Sequence, residues 1–263
     1  MQLDHIVILV NNLEQAVADY TAQEFTVSPG GTHAGGISHN ALIHFQDGTF
    51  LELLELRATP RTSFLRRMHE QGLLKAYQQS AKYGMAHRFY GRALDLRKHQ
   101  PQAEGITDFC LLVSNQTHAH LKDRLPLTPP FGASRKRPDG KTVHWQMYTP
   151  IDNDVLPFFR TDYQPKMVRP PEALQHANGA LGIHKVCVYI DDYAQVVQSY
   201  RQLLPEVIPN TSPDTTLFEL ANGSIEIINA VTTTRTYEMT QAQAKGIGRF
   251  GVVLNTDEGY ILM

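Results

Sequence analysis

The sequence predicts an α+β protein built from repeated βαβββ modules, and two observations support this fold class. Residues 3–20 and 182–200 share one order: a histidine, an apolar strand, a short polar join and an amphipathic helix that ends in tyrosine. Each copy then closes on a tight turn and a strand that carries a glutamate, in residues 47–56 and 222–230. Self-similarity of this kind indicates that one structural unit is repeated along the chain.

The helix of each copy begins at a predicted N-cap. Asn12 and Asp192 stand where the apolar strand ends, and each has a glutamine three residues later. This pattern is typical of a capping box, in which side chains satisfy the free N–H groups of the first turn. Apolar residues follow at the i, i+3, i+4 and i+7 positions, so we expect the helix to pack one face on a sheet.

A weaker copy of the module lies between these two, in residues 106–163, and its closing strand has no glutamate. We therefore divide the chain into paired modules in residues 1–163, with a helical insertion at about 60–104. A proline-rich linker follows in residues 164–179, where prolines prevent regular strand pairing. Residues 180–263 hold the third module and a C-terminal strand.

Composition narrows the classes of partner. The chain carries 24 basic and 26 acidic residues without a long basic block, so nothing indicates a nucleic acid or a membrane surface. No stretch approaches the ~18 consecutive apolar residues of a membrane span. The two cysteines lie in apolar strands and are expected to be buried thiols rather than a disulfide. We expect a cytoplasmic protein.

Alternation along the strands predicts which side chains share a face. If residues 47–48 form a two-residue turn, Ile43 opposes Glu52, and His39 falls on the same face as Glu52. The helix should cover the more aliphatic face of the sheet. His5, His39 and Glu52 then converge on the opposite, concave face, although a slip of one residue would reverse this assignment.

His5 and Glu52 form the central candidate pair. Side chains on neighbouring strands lie ~5 Å apart at Cβ, which suits two ligands of one divalent ion. The alternative is a hydrogen-bonded pair without a metal. A buried glutamate without a partner is costly or raises its pKa, so a buried Glu52 requires some partner or substrate.

The glycine-rich residues 30–40 carry further candidates. They can form a flexible lid that brings His33, His39 and Asn40 to a substrate, with a histidine as proton carrier. An ordinary glycine-rich connection between strands explains the same composition equally well.

Four more candidates lie in the second copy. Arg135 and Arg137 can hold a substrate carboxylate through paired N–H donors, but arginines beside a Pro-Asp-Gly turn are more often solvated. Trp145 belongs to an alternating apolar face, where core packing is the default and lining a pocket is the second choice. Phe158 adds an apolar side chain to the closing strand.

These stretches resemble the glyoxalase-like domain family of the vicinal oxygen chelate superfamily. The matching runs are LDHIVILVNNLEQAVADY, GGTHAGGISHNALIHFQDGTFLELLEL and SRKRPDGKTVHWQMY followed by LPFF. The resemblance covers about residues 1–163, and residues 182–230 are similar to a further module. It implies paired modules that curl into a cup, and small-molecule chemistry often assisted by a divalent metal that chelates vicinal oxygens.

The resemblance also implies four ligand places. Modules one and two fill them with an incomplete set: His5, Glu52, about Asp108 and about Phe159 or Arg160. Modules one and three would supply a complete set: His5, Glu52, His184 and Glu226. Consecutive modules usually pair, which favours the first arrangement.

The leading hypothesis is a glyoxalase-like enzyme of the lyase, isomerase or dioxygenase type acting on a small, anionic substrate. Glu52 would be a base or metal ligand, His5 a ligand or orienting group, and His39 a proton carrier. The alternative is a non-catalytic protein that binds or sequesters a small molecule. Three modules leave one sheet edge unpaired, so we predict a homodimer through residues 180–263.

Overall fold

The computed structural model describes residues 1–33, 35–136, 140–232 and 249–263. Eight strands form the first sheet: β1 Gln2–Val10, β2 Ser28–Thr32, β3 Ser38–His44, β4 Phe50–Leu56, β5 Gly105–Leu112, β6 Phe131–Lys136, β7 Thr142–Tyr148 and β8 Phe158–Arg160. Their order across the sheet is β2-β3-β4-β1-β5-β8-β7-β6. Modules one and two therefore pair, as the sequence favours, through the antiparallel contact of β1 with β5.

The first sheet curves until its two outer strands nearly meet. A bridge between His33, just after β2, and Arg135 on β6 joins the opposite edges. The concave side of this sheet is the predicted cup.

Six strands form the second sheet: β9 Ala180–Ile190, β10 Asn210–Thr211, β11 Thr215–Leu220, β12 Gly223–Asn229, β13 Phe250–Thr256 and β14 Tyr260–Leu262. β9 pairs in parallel with β12 and antiparallel with β13, as β1 pairs with β4 and β5. The repeat seen in the sequence is therefore a repeat of strand pairing.

The helices are α1 Leu13–Ala22, α2 Pro60–Glu70, α3 Leu73–Ala76, α4 Ala81–Met85, α5 Arg92–His99, α6 Asn115–Lys122 and α7 Tyr193–Leu203, with a π-helical segment at Ala86–Gly91 and a 3₁₀ turn at Pro171–Leu174. The predicted insertion is the run from α2 to α5. Among the described residues, no helix is long and apolar enough to cross a membrane.

Both predicted N-cap positions are confirmed, but a side-chain capping bond forms in one copy only. The side chain of Asn12 accepts a hydrogen bond from the Gln15 N–H at the start of α1. Asp192 is the N-cap residue of α7, where its side chain makes no capping bond.

The two sheets share one core on their helix-bearing faces. It contains aliphatic side chains from both sheets and from α1 and α7, among them Ile6, Ile8, Leu51, Leu53, Ala16, Ile183, Val186, Ile225, Val196 and Leu203. The Asn222 side chain also bonds both the N–H and the C=O of Leu3, at 2.8 Å each. The cup therefore opens on the side away from the second sheet.

Two irregularities decide which residues face the cup. The loop between β3 and β4 has three residues, because the Phe45 N–H bonds the Thr49 carbonyl. Leu42 rather than Ile43 therefore opposes Glu52. In β1 the register with β5 shifts between Leu3 and His5, a bulge at Asp4. The predicted pairing of Ile43 with Glu52 is therefore wrong, whereas His5 and Glu52 both face the cup as predicted.

Candidate functional site

The concave face of the first sheet encloses a cavity of about 160 Å³. Polar side chains lie along its floor, and its walls are largely apolar. The helical insertion covers it with Leu65, Met85, Phe89 and Tyr90. The insertion thus covers part of the cup and turns it into a deeper pocket, in which charges interact more strongly than in water.

Glu52 is the central group of the floor. Its Oε1 accepts a hydrogen bond from Asn40 Nδ2 at 2.5 Å, and its Oε2 lies 3.5 Å from His5 Nε2. His33 Nε2 stands 3.6 Å from Oε1. Burial raises the pKa of Glu52, but the bond from His5, the positive charge of His5 and the bond from Asn40 outweigh it and lower the pKa to about 2. Glu52 is therefore an ionised carboxylate inside the pocket.

His5 is held on both ring nitrogens and both ring faces. Nδ1 lies 2.5 Å from Asp4 Oδ2, and Phe50 stacks on the ring at 4.4 Å between centroids. Phe158 meets it edge-on at 5.3 Å. Burial lowers the pKa of His5, but its contacts with Cys110, Asp4 and Glu52 prevail and hold the pKa well above its ordinary value. His5 is therefore an imidazolium.

Asp4 forms a hydrogen bond with His5 and is itself held by Arg160. Arg160 donates from Nε at 2.5 Å and from Nη2 at 2.6 Å, a bidentate ion pair. Burial raises the pKa of Asp4, yet Arg160 and His5 together lower it to about 2. The strand bulge brings Asp4 to this side, since strict alternation would leave it in the aliphatic core.

The pKa of His33 shifts in the opposite direction to the pKa of His5. Its Nδ1 lies 2.9 Å from Ser38 Oγ, and its Nε2 faces Glu52. Burial lowers the pKa of His33, and Arg135 lowers it further, against the opposing effect of Glu52. His33 is therefore a neutral imidazole beside an ionised carboxylate.

Arg135 contributes a buried guanidinium to the same cavity. Its Nη1 donates to Asn40 Oδ1 at 3.4 Å. Its Nε is buried and has no hydrogen-bond partner among the residues that the structure describes. Arg137, its predicted companion, lies outside the described residues.

Trp145 and Phe158 line the cavity as apolar wall residues. Trp145 packs edge-on against Tyr163 at 5.2 Å between centroids, and Phe158 meets Phe89 of the insertion at 4.9 Å. Both therefore give the pocket its shape.

His39 does not reach the pocket. It pairs with Glu55 across β3 and β4, and its Nε2 lies 3.0 Å from Glu55 Oε2. Glu55 also accepts a hydrogen bond from the Leu13 N–H where α1 begins. The extra loop residue shifts the register of β3 against β4 by one position. Asn40 therefore faces the floor of the pocket, and His39 faces the helix. The prediction for His39 is wrong for this reason.

The family's second pair of ligand places is otherwise engaged. Asp108 is buried and accepts hydrogen bonds from Arg88 Nε and Nη2 at 2.7 Å, and from Arg92 Nη1 at 3.0 Å. Arg160 occupies the fourth place and pairs with Asp4. Neither position offers a free carboxylate.

The second sheet has no copy of the His–Glu pair. A bulge next to His184 matches the one at Asp4, and Lys185 takes the position that corresponds to His5. Lys185 Nζ lies 2.7 Å from Glu226 Oε2, whereas His184 packs against the Tyr260 ring. The complete set of four ligands from modules one and three does not form.

Asp4 is a site residue that the sequence prediction missed. One signal was available in the sequence. Leu3, Ile6 and Ile8 are all aliphatic, but strict alternation places Leu3 on the opposite face from Ile6 and Ile8 unless the strand has a bulge between them. Phe50, Ser38 and the insertion residues give no comparable signal.

A family model described as a glyoxalase-like domain matches residues 3–204. A comparison with curated proteins finds no match. Among solved structures, a hypothetical protein from Staphylococcus aureus has 17% identity and a TM-score of 0.63, over 86% of this chain and 85% of that one. This likeness shows the fold.

Two further likenesses to solved structures are weaker. Glyoxalase I from Zea mays has 13% identity and a TM-score of 0.38, over 88% of this chain and 68% of that one. Methylmalonyl-CoA epimerase from Mycobacterium tuberculosis has 14% identity and a TM-score of 0.35, over 66% and 92%. These neighbours have vicinal oxygen chelate folds.

Proposed function

The chain belongs to the glyoxalase-like domain family, and we propose from this premise that it is an enzyme of the lyase or isomerase type. It would move a proton on a small oxo- or hydroxy-acid held in the cup. One observation carries the proposal: His5 and His33, whose pKa values shift in opposite directions, lie within 3.6 Å of the two oxygens of the Glu52 carboxylate. Titratable groups whose pKa values are pushed apart mark an acid and a base.

The base side of the pocket consists of His33 and Glu52. The 3.6 Å between His33 Nε2 and Glu52 Oε1 is longer than an ordinary hydrogen bond. A substrate C–H or O–H that approaches this pair from the cavity can reach both atoms, with His33 in the tautomer that carries its proton on Nδ1 beside Ser38. A carboxylate with a pKa of about 2 is a weak base, so His33 takes the proton and Glu52 stabilises the imidazolium that forms.

The acid side consists of His5. Its Nε2 proton points toward Glu52 and the cavity, and Asp4 holds the ring through Nδ1. This proton can be donated to a substrate carbonyl oxygen as negative charge develops there. Asp4, itself held by Arg160, fixes the orientation of the His5 ring.

Arg135 suits an anionic substrate. Its buried Nε has a free N–H within the described part of the chain, so a carboxylate oxygen can accept from it. A cavity of about 160 Å³ holds roughly five water molecules, which limits the enclosed part of the substrate to a few heavy atoms. The apolar walls exclude water from that part.

Divalent-metal assistance fits the donor set only in part. Ligand atoms of Asp4, His5 and Cys110 lie within 4.8 Å of one another, which is a possible metal site. Arg160 already holds both Asp4 oxygens, and burial raises the pKa of the Cys110 thiol to about 11, whereas metals bind thiolates. The predicted ligands His5 and Glu52 lack the family's second pair. The proposed proton transfer therefore uses only the chain's own side chains.

The direct test is Glu52→Gln, assayed by exchange of substrate α-protons with deuterated water across a panel of oxo- and hydroxy-acids. We expect at least a hundredfold loss of exchange, since the neutral amide cannot stabilise an imidazolium at His33. Glu219→Gln is the matched control, because Glu219 is exposed on the second sheet. Unchanged exchange in Glu52→Gln would sink the assigned role.

A second candidate function is sequestration of a small molecule. The apolar wall formed by Phe131, Trp145, Met147 and Phe158 favours it, since such a wall binds without chemistry. Tight binding of a panel compound by the wild-type protein, with no proton exchange and no turnover, would decide for this alternative.

A further inference from the structure

The helical insertion is strongly basic in an otherwise acidic chain. Residues 57–101 contain ten lysines and arginines but only two acidic residues, whereas the whole chain has 24 and 26. A local excess of this size creates a positive field that the remainder of the protein does not share. Two of these cations, Arg88 and Arg92, are neutralised by Asp108.

Five of the other cations surround one groove, which we call the basic groove. It has a volume of about 990 Å³, and its basic lining residues are Arg57, Arg66, Lys75, Arg97 and Lys98. They come from the segment after β4 and from α2, α3 and α5. Convergence of charges from four separate segments differs from the solvated face of a single helix.

The acidic residues of the basic groove do not balance these charges. Only Glu70 and Asp95 line it, and Asp95 Oδ1 is already bonded to His69 Nε2 at 2.8 Å. Arg97 is anchored by hydrogen bonds to the carbonyls of Val10 and Ala103, while Arg66 and Lys98 are exposed at the mouth. The groove therefore offers free cations for a ligand.

The basic groove adjoins the cup. Leu56 and Tyr90 line both cavities, so the two lie side by side. The cup accommodates only a few atoms, whereas the groove has the size of a pocket for a drug-sized ligand. The two volumes suit a small reactive group and a larger anionic group.

We propose that the basic groove binds the phosphate-bearing end of a substrate whose reactive end enters the cup. Arginine and lysine bind phosphate oxygens through charge-assisted hydrogen bonds, and several cations in one concave groove favour a group with more than one phosphate. The concave groove, of about 990 Å³, suits a small molecule rather than a nucleic acid. The link to the cup rests on the proposed function, whereas phosphate binding stands on the groove alone.

Calorimetric titration of the full chain with ADP and with inorganic pyrophosphate tests the proposal. We expect both to bind the wild type, and the double variant Arg66→Gln and Lys98→Gln to bind at least tenfold more weakly. The control is Lys122→Gln with Arg201→Gln, two exposed cations on α6 and α7, for which binding should not change. Lys75→Gln, in a third segment of the groove, should also weaken binding.

Three outcomes would contradict phosphate binding in the basic groove. The groove and control variants would bind ADP equally well, adenosine would bind as tightly as ADP, or a DNA duplex would bind more tightly than ADP or adenosine. The cup is tested separately with Glu52→Gln, which should bind ADP as the wild type does. Normal ADP binding with unchanged proton exchange in Glu52→Gln refutes the proposed function and leaves the groove intact. If ADP does not bind but proton exchange depends on Glu52, the groove proposal is refuted and the proposed function stands.

Discussion

His5 and His33 stand on either side of the Glu52 carboxylate, yet their pKa values move in opposite directions. The difference lies in their second partners. His5 bonds the ionised Asp4, which favours its charged form, whereas His33 bonds the neutral hydroxyl of Ser38 and lies near Arg135. Two identical side chains thus acquire acid and base character from neighbours a few ångströms away.

These shifts predict a bell-shaped pH profile of kcat/KM. Activity should rise as pH climbs through the lowered pKa of His33, below 6.5, because the base must lose its proton. It should fall only well above pH 6.5, where His5 loses the proton that it donates. Asp4→Asn should move the alkaline limb to lower pH and leave the acid limb in place, and an unshifted alkaline limb would contradict the role of His5.

The helical insertion is the element that distinguishes this cup. It covers the pocket, supplies the basic groove and is attached to the sheet by an ion pair. Arg88 reaches Asp108 on β5 and also donates to the Leu156 carbonyl at 2.6 Å. Both charged groups are buried, so removal of either one would leave the other without a counter-charge in the protein interior. The ion pair therefore anchors the insertion only while both partners are present.

Removal of Arg88 should loosen the insertion. We expect Arg88→Met to lower the free energy of unfolding by about 3 kcal/mol, the low end for a broken buried pair, because Arg92 still contacts Asp108. Amide exchange should accelerate in α4 and α5 before the rest of the chain. Arg67→Met, on the exposed face of α2, is the control. Equal stability of the two variants would show that the ion pair does not anchor the insertion.

On the scale of the whole molecule, the second sheet does not repeat the pairing of His5 with Glu52 in the first. Lys185 in the place of His5 forms an ion pair with Glu226, which leaves the carboxylate neutralised rather than available. In the described part of the chain, β14 is an edge strand with exposed Tyr260 and Leu262. Exposed edges of this kind favour association with another chain.

The homodimer predicted from the sequence can be tested at this edge. We expect light scattering to give a dimer mass for the wild type and a shift toward monomer for Leu262→Lys, since a charged edge disfavours strand pairing. Val168→Lys, another exposed apolar position, should leave the mass unchanged. A monomer mass for the wild type at micromolar concentration would contradict the predicted homodimer.

The sequence by itself determined the repeated module and favoured the pairing of modules one and two. Seven of the predicted site residues line one cavity: His5, His33, Asn40, Glu52, Arg135, Trp145 and Phe158. The order of strand, helix and turn in each module is a local property, so a short stretch of sequence carries it.

Only the tertiary structure decided the faces and the charges. One extra loop residue turned His39 toward the helix, and one bulge brought Asp4 beneath His5. Arg88 meets Asp108, and Arg160 meets Asp4, across 20 and 156 positions of the chain. Strand register and long-range ion pairs depend on how the whole chain closes, and no local pattern records them.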